Sequence, residues 1–313
     1  MDKLKKNNLV ENKINFTVIV VCFNPGKKLK YTLDSIYSQE YWNYRVIIKD
    51  GNSDDGSLES LQDSGYFIKR YSDCTDIFVG KDNGIYDAMN IALNNLQNNI
   101  ENNYVIFMNC GDVFYSRQTL GKVADYIEEY LEKRHYSTGY DMEIEQTEND
   151  KARSQSDNMY IFYGNQFNRQ TNTIVASAPR LNEFALFRNV PCHQVCFYDS
   201  RLFKSRGYDI RYKVRADYEH FLYSIYEERA KAVYLEEVIS DYEGGGFSET
   251  KKNRELSSVE HREITDKYMG KRASKYRALM TLSGAGIRTA MAESKRFSKV
   301  YNKIKSLVYK IKR

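Results

Sequence analysis

Two hydrophobic periods alternate along this chain. Ile14–Phe23 (INFTVIVVCF) is almost continuously apolar and β-branched, the pattern of a strand covered on both faces of a parallel sheet. After a turn at Asn24-Pro25-Gly26, the positions Leu29, Leu33, Ile36 and Tyr37 within Lys28–Ser38 recur at helical spacing. Tyr44–Lys49 is the second strand, so strand, turn, helix and strand form a right-handed βαβ unit. A helix near Ser57–Ser64 and a short strand near Ile77–Val79 follow. The polar turn Lys81-Asp82-Asn83-Gly84 opens the next helix, with Asp82 or Asn83 as its cap. Tyr104–Met108 is short and apolar enough to be a buried strand, and Arg117–Arg134 is an amphipathic helix through Leu120, Val123, Ala124, Ile127 and Leu131.

The second half is less regular. Residues 135–158 are polar and read as a surface loop. Met159–Tyr163 predicts a strand that turns at Gly164-Asn165, and a hairpin-like stretch runs on to Thr173–Ser177. Pro191–Tyr198 contains His193-Gln194 and precedes a helix whose first turn holds Asp217. Ala232–Ser240 is a strand, Asp241–Ser248 a glycine-rich loop, and Glu255–Tyr268 a helix. The alternation predicts an α/β fold, a wound and mostly parallel central sheet flanked by helices.

Composition narrows the picture. Apolar residues make up 42% and charged residues 28% of 313 positions, which is globular. No run is long and apolar enough for a membrane span, and Met1–Lys13 is too polar for a signal peptide. Five cysteines, at least two of them in strands, point to reduced thiols and a cytoplasmic protein. Cys192 and Cys196 flank His193, but without a second cluster at ligand spacing they make no zinc site. Charge is segregated: Lys267–Arg313 carries 14 Lys+Arg and one acid, +13, leaving (47−14) − (42−1) = −8 for the rest. The last part, Lys295–Arg313, is a basic amphipathic helix. It suits the inner face of an anionic membrane, or else packs on the body or on a partner subunit. No nucleic-acid motif accompanies the charge.

Two loops after strand ends carry candidate chemistry. Open α/β sheets bind ligands beyond the carboxyl ends of their strands. Asn109-Cys110-Gly111-Asp112 places a carboxylate there after a glycine that permits close approach, and an oxygen ligand suits Mg or Mn shared with phosphates. Asp50-Gly51-Asn52-Ser53 occupies the equivalent place after the second strand. The glycine-rich loop, including Gly245 and Ser248, allows backbone approach to phosphate or acceptor and has the character of a lid. It lacks P-loop spacing, and Asn24-Pro25-Gly26-Lys27-Lys28 is a poor phosphate loop, which argues against a nucleotidyltransferase.

TVIVVCFN, VIIKDGNSDDGS, GKDNGIYDAMN and FMNCGD, in that order, resemble glycosyltransferase family 2 with its A-type nucleotide-sugar fold, in particular bacterial members of surface-polysaccharide synthesis. The blocks cover 14–115, and a weaker likeness continues to residue 250. The resemblance implies that 14–250 is the catalytic domain, with a nucleotide-binding half at 14–115 and an acceptor half at 159–250, and that 251–313 is a helical extension. It implies that Asp50 accepts from the base, Phe23 stacks on it, and Asp112 binds the metal. Asn24, Asn52, Lys81, Asp82, Asn83, Gly84, Asn109 and Gly111 would line the donor site. Two departures stand out: Asn109 and Gly111 replace acids of the family's D-x-D element, and Met89-Asn90 replaces an Arg-Asn pair that touches the diphosphate.

The expected activity is inverting transfer of a sugar from a nucleotide donor, a UDP-sugar, with a divalent cation, to a glycan or polyprenyl-diphosphate-linked acceptor. Asp217 is the expected general base. Glu219 is the alternative base, and His193 and Gln194 stand near the acceptor or behind the catalytic groups. The competing expectation is a catalytically weak nucleotide-sugar-binding scaffold, and a homo-oligomer is left open.

Overall fold

The computed structural model describes residues 14–67, 72–96, 102–136, 158–244, 250–282 and 298–311. Gly245 and Ser248 of the glycine-rich loop, most of 135–158, and the flanks of the basic helix lie outside the described residues.

The apolar runs become a wound central sheet flanked by helices, as the sequence predicts. In chain order the elements begin β1 (Asn15–Cys22), α1 (Lys27–Tyr37), β2 (Tyr44–Asp50), α2 (Ser57–Asp63), β3 (Thr75–Val79), α3 (Ile85–Leu93), β4 (Asn103–Phe107), β5 (Val113–Phe114) and α4 (Thr119–Tyr136). They continue with β6 (Tyr160–Asn168), β7 (Thr173–Val175), α5 (Glu183–Arg188), β8 (Cys196–Asp199), α6 (Ala216–Tyr226), β9 (Lys231–Tyr242), α7 (Lys251–Met269) and α8 (Lys271–Leu282). A last helix, here α9, spans Ser298–Ile311.

The strand order is β3-β2-β1-β4-β8-β6-β9-β5, with β7 on β6. The first four strands are parallel, and β8 turns the sheet by joining β4 antiparallel. Register puts Cys22 beside Asp50 and Asp50 beside Val79, so the carboxyl ends of β1, β2 and β3 form one rim. Met108 N donates to Ile19 O at 2.9 Å, which brings the end of β4 to the same rim. The core lies on both faces: Val18, Val20, Val46, Ile48, Val105 and Ile106 are fully buried, as are Leu29, Leu33 and Ile36 of α1.

Two local expectations change. Gly164-Asn165 is no turn but part of β6. The β6–β9 register shifts on either side of Asn165, and a Cβ on Gly164 would come within 2.6 Å of Glu237 O and Ile239 Cγ1. The glycine marks a bulge and a close backbone approach. Helix α3 has no side-chain cap at Asp82 or Asn83. Gly84, at φ 116°, is the capping position, because Asp82 is committed elsewhere, as described below.

Helix α7 is packed into the core. Ile264 and Thr265 are fully buried, and Glu260 is 4% exposed. No helix among the described residues is long and apolar enough to cross a membrane.

Candidate active site

One buried cation ties the ends of β2 and β3 to the loop that follows them. Lys49, 2% exposed, donates from Nζ to Asp50 O at 2.8 Å, Gly80 O at 2.6 Å and Asp82 Oδ2 at 2.9 Å. Asp82 also accepts from Gly84 N at 3.1 Å. A lone buried ammonium would be costly, so these acceptors fix Asp82 at the rim. Asn83 is held separately, its backbone N–H donating to Asp87 Oδ2 at 2.8 Å. Lys81, beside them, is exposed.

Asp50 is 1% exposed and accepts from Ser53 N and Ser53 Oγ, each at 2.7 Å, and from Cys22 Sγ at 3.3 Å. Asn24 crosses to the same loop, its N–H donating to Ser53 Oγ at 2.8 Å and its Oδ1 accepting from Asp54 N at 2.9 Å. Asn24 and Asn52 adopt positive φ values of 47° and 68°, which asparagine tolerates better than most residues. Phe23 is 66% exposed and leans over Gly51, where a Cβ would meet its ring at 3.1 Å. The rim therefore presents an open aromatic face beside a buried carboxylate.

The loop after β4 is anchored by α1. Thr32 Oγ1 accepts from Gly111 N at 2.9 Å and donates to Asp112 O at 2.8 Å. Asp112, 4% exposed, accepts from Gln194 Nε2 at 3.0 Å and from Glu243 N at 2.9 Å. Burial pushes its carboxyl above the usual range despite these donors. Gly111 has φ 103°, and a side chain there would overlap Glu243 Oε2, itself paired with Lys28 Nζ at 2.6 Å. The space that an acid at position 111 would need is thus filled by a carboxylate from the end of β9. Arg169 adds a second cation beside this loop, bonded to Asp241 Oδ1 at 3.1 Å and reaching Gly111 O at 3.5 Å.

Two consecutive side chains connect the acids of the two halves. While Gln194 holds Asp112, His193 Nδ1 lies 3.1 Å from Asp217 Oδ2. Asn109 Nδ2 lies 3.1 Å from His193 Nε2. With the Asn109 amide donating, the imidazole proton sits on Nδ1 and is given to Asp217. Asp217 Oδ1 accepts from Tyr218 N at 2.8 Å, and the Tyr86 hydroxyl shares its one proton between Asp217 Oδ1 at 3.0 Å and Val214 O at 2.9 Å. Burial alone would raise the Asp217 carboxyl, but the His193 hydrogen bond, the Tyr218 N–H and Arg215 hold it below the ordinary value. Its side chain keeps 24% exposure, so an ionised carboxylate stays within reach of a ligand.

Three further features were not legible as site elements. Tyr86, inside the IYDAMN block, reaches across to Asp217. Asn90 of the same block clamps Tyr208, accepting from its N–H at 2.7 Å and donating to its carbonyl at 2.8 Å. Met89 is fully buried, and Asn90 joins α3 to the segment that leads into α6. Glu260 of α7 accepts from the backbone N–H groups of Lys213, Val214 and Arg215 at 2.7, 3.0 and 2.8 Å, which fixes the chain entering α6 just before Asp217. No sequence pattern announces such a contact, since it depends on a helix 45 residues downstream.

Glu219, the alternative base, is fully buried and bonded to Arg206 Nη2 at 2.9 Å, Lys267 Nζ at 2.8 Å and Tyr268 Oη at 2.6 Å. Its carboxylate is engaged in joining α6 to α7. Cys196 is buried and Cys192 partly so; burial first, then Asp112 and Asp217, pushes the Cys192 thiol up to about 12. Among the described residues no three His, Cys, Asp or Glu side chains form a metal cage. Asp112 and Glu243 offer only oxygen, a donor set that fits a hard divalent cation completing its shell with phosphate and water.

Comparison with known proteins agrees with this architecture. A model described as "Glycosyl transferase family 2" matches residues 17–190. A PGL/p-HBAD biosynthesis glycosyltransferase of Mycobacterium bovis is 28% identical over 243 residues, 77% of this chain and 82% of its own. Among solved structures, TarS of S. aureus, also solved with UDP-GlcNAc, has a TM-score of 0.55 at 14% identity over 84% of this chain and 70% of its own. A Pyrobaculum calidifontis mannosyltransferase in complex with GDP-Man and Mn2+ has a TM-score of 0.54 at 13% identity, covering 94% and 87%. At these identities the solved structures speak to the fold.

Proposed function

The chain belongs to glycosyl transferase family 2, and we propose that it moves a sugar from a UDP-sugar donor to a glycan or polyprenyl-diphosphate-linked acceptor, with inversion, in the building of a cell-surface polysaccharide. The reading places the protein in the cytoplasm, with residues 14–115 holding the donor, 159–250 receiving the acceptor, and 251–313 as a helical extension whose α7 braces the base. One observation carries it: His193 and Gln194, adjacent in sequence, hold Asp217 and Asp112, one acid for each half of the reaction.

In this reading Phe23 stacks on the base, and Asp50 with its Ser53 turn faces the base edge. Lys28, Lys81 and Arg169 are the cations nearest a diphosphate, in place of the missing Arg-Asn pair. Asp112 and Glu243 would hold a divalent cation, which when bound offsets the charge of the leaving diphosphate. Asp217 takes the proton from the acceptor hydroxyl as its oxygen forms a bond to the anomeric carbon. The bond from that carbon to the diphosphate oxygen breaks, and its electron pair leaves with the UDP. His193 keeps Asp217 ionised and oriented, and Asn109 fixes the His193 tautomer.

The test is a panel of nucleotide sugars with purified protein and Mn or Mg, following thermal stabilisation and sugar release together. UDP-sugar stabilisation with release of UDP supports the reading. Stabilisation by UDP with no release under any condition supports the scaffold alternative.

A further inference from the structure

Helix α9 is turned the wrong way for a helix whose role is to complete the fold. Its contact with the body is polar: Asn302 is 7% exposed and donates from Nδ2 to Thr173 Oγ1 of β7 at 3.0 Å. Lys305 is on the same side, and burial pushes its ammonium down to about 8. The apolar residues face out: Val300 is 56%, Ile304 54%, Leu307 54% and Val308 40% exposed. At the helical repeat these four fall within an arc of about 100°, with Asn302 roughly opposite its centre. Lys299 and Lys303 are exposed along one edge of the stripe.

An outward apolar stripe edged by lysines has the form of a helix that lies in a lipid interface. Charge selects the occupant. Helix α9 carries four lysines and no acid over Ser298–Ile311. An anionic surface attracts such a helix with the stripe pointing at the lipid. A second copy of the chain would bring the same lysines together along the stripe and be opposed by their repulsion.

We propose that α9 docks this protein on an anionic bilayer, with Val300, Ile304, Leu307 and Val308 entering the interface and Lys299 and Lys303 meeting lipid phosphates. Asn302 keeps the helix fastened to β7, so docking sets the orientation of the whole sheet relative to the membrane. The inference stands on α9 alone and does not depend on the chemistry of the site.

The experiment uses the full chain with vesicles of phosphatidylglycerol and phosphatidylcholine in equal parts, and of phosphatidylcholine alone. Co-sedimentation is expected with the anionic vesicles, several-fold less with neutral ones, and weakening as salt rises. The double substitution Ile304→Asp/Leu307→Asp is expected to lower vesicle affinity by tenfold or more, because it withdraws two apolar side chains from the interface and adds two charges that an anionic surface repels, with helix content and melting unchanged. As a second readout, Val300→Trp is expected to show a blue shift in emission on adding anionic vesicles, above the constant background of Trp42. Equal binding to both vesicle types, no binding, an unshifted Val300→Trp spectrum, or a dimer abolished by the double substitution would overturn the proposal.

Discussion

The Tyr86 hydroxyl lies 3.0 Å from Asp217 Oδ1, across 131 residues of sequence. Tyr86 belongs to the first turns of α3, beside the rim of β1, β2 and β3, and Asp217 to the first turn of α6. The helix that follows the proposed donor loop thus also positions the proposed base. Tyr86→Phe removes a hydroxyl whose one proton is shared between Asp217 Oδ1 and Val214 O, an interaction of about 1.5–3 kcal/mol where the carboxylate takes it. We expect kcat to fall about tenfold with UDP affinity unchanged, and the acid limb of the pH–rate profile to move upward, because one group favouring the ionised form is gone. Steady-state kinetics against pH, with calorimetry of UDP binding, checks both.

Glu260 offers a test from further away. Its buried carboxylate takes three backbone N–H groups ahead of α6. Glu260→Ala leaves those donors unpaired and should cost about 3 kcal/mol of stability or more, read as a lower urea midpoint. Transfer activity should fall with it, while donor affinity stays near that of the parent, since the 14–115 rim does not touch Glu260.

His220 should dominate the response of stability to mild acid. It is fully buried, stacked on Phe203 at a centroid distance of 4.5 Å. Burial, then the nearby Arg206 charge, lowers its value from 6.5 to about 3. Between those values the unfolded chain binds a proton that the folded chain refuses. Stability should therefore fall as pH drops below 6.5, by up to about 1.4 kcal/mol per pH unit. His261 is lowered in the same direction and adds to the slope. His220→Phe keeps the ring stack and should flatten most of the dependence between pH 6.5 and 5, as seen in melting temperature.

Gly111→Asp tests how the shortened acidic element is compensated. The substitution restores an acid that the family motif would place there, yet it requires an L side chain at φ 103° in space held by Glu243. We expect lower stability and lower activity rather than a gain. Combining it with Glu243→Ala should recover part of the loss by vacating that space. Melting temperature and transfer rate of the single and double variants decide it.

The central sheet was legible because its strands are unusually apolar: β1, β2 and β4 are buried along nearly their whole length. The loops after β2 and β4 were legible because carboxylates directly follow those strands. Gly164 misled, since a glycine reads the same at a turn and at a bulge inside β6. Asp82 misled as a cap because its partner, the buried Lys49, lies 33 residues away in sequence. Tyr86, Asn90 and Glu260 act through partners 131, 118 and 45 to 47 residues away. Local periodicity carries no information about such pairings.

The most direct test of the mechanism is Asp217→Asn. The substitution keeps the shape of the side chain and a contact with His193 but removes the proton acceptor. We expect kcat to drop by about 10²–10⁴-fold, with melting temperature and UDP-sugar affinity close to those of the parent. A folded Asp217→Asn protein that transfers sugar at the parent rate would contradict the assignment of the base.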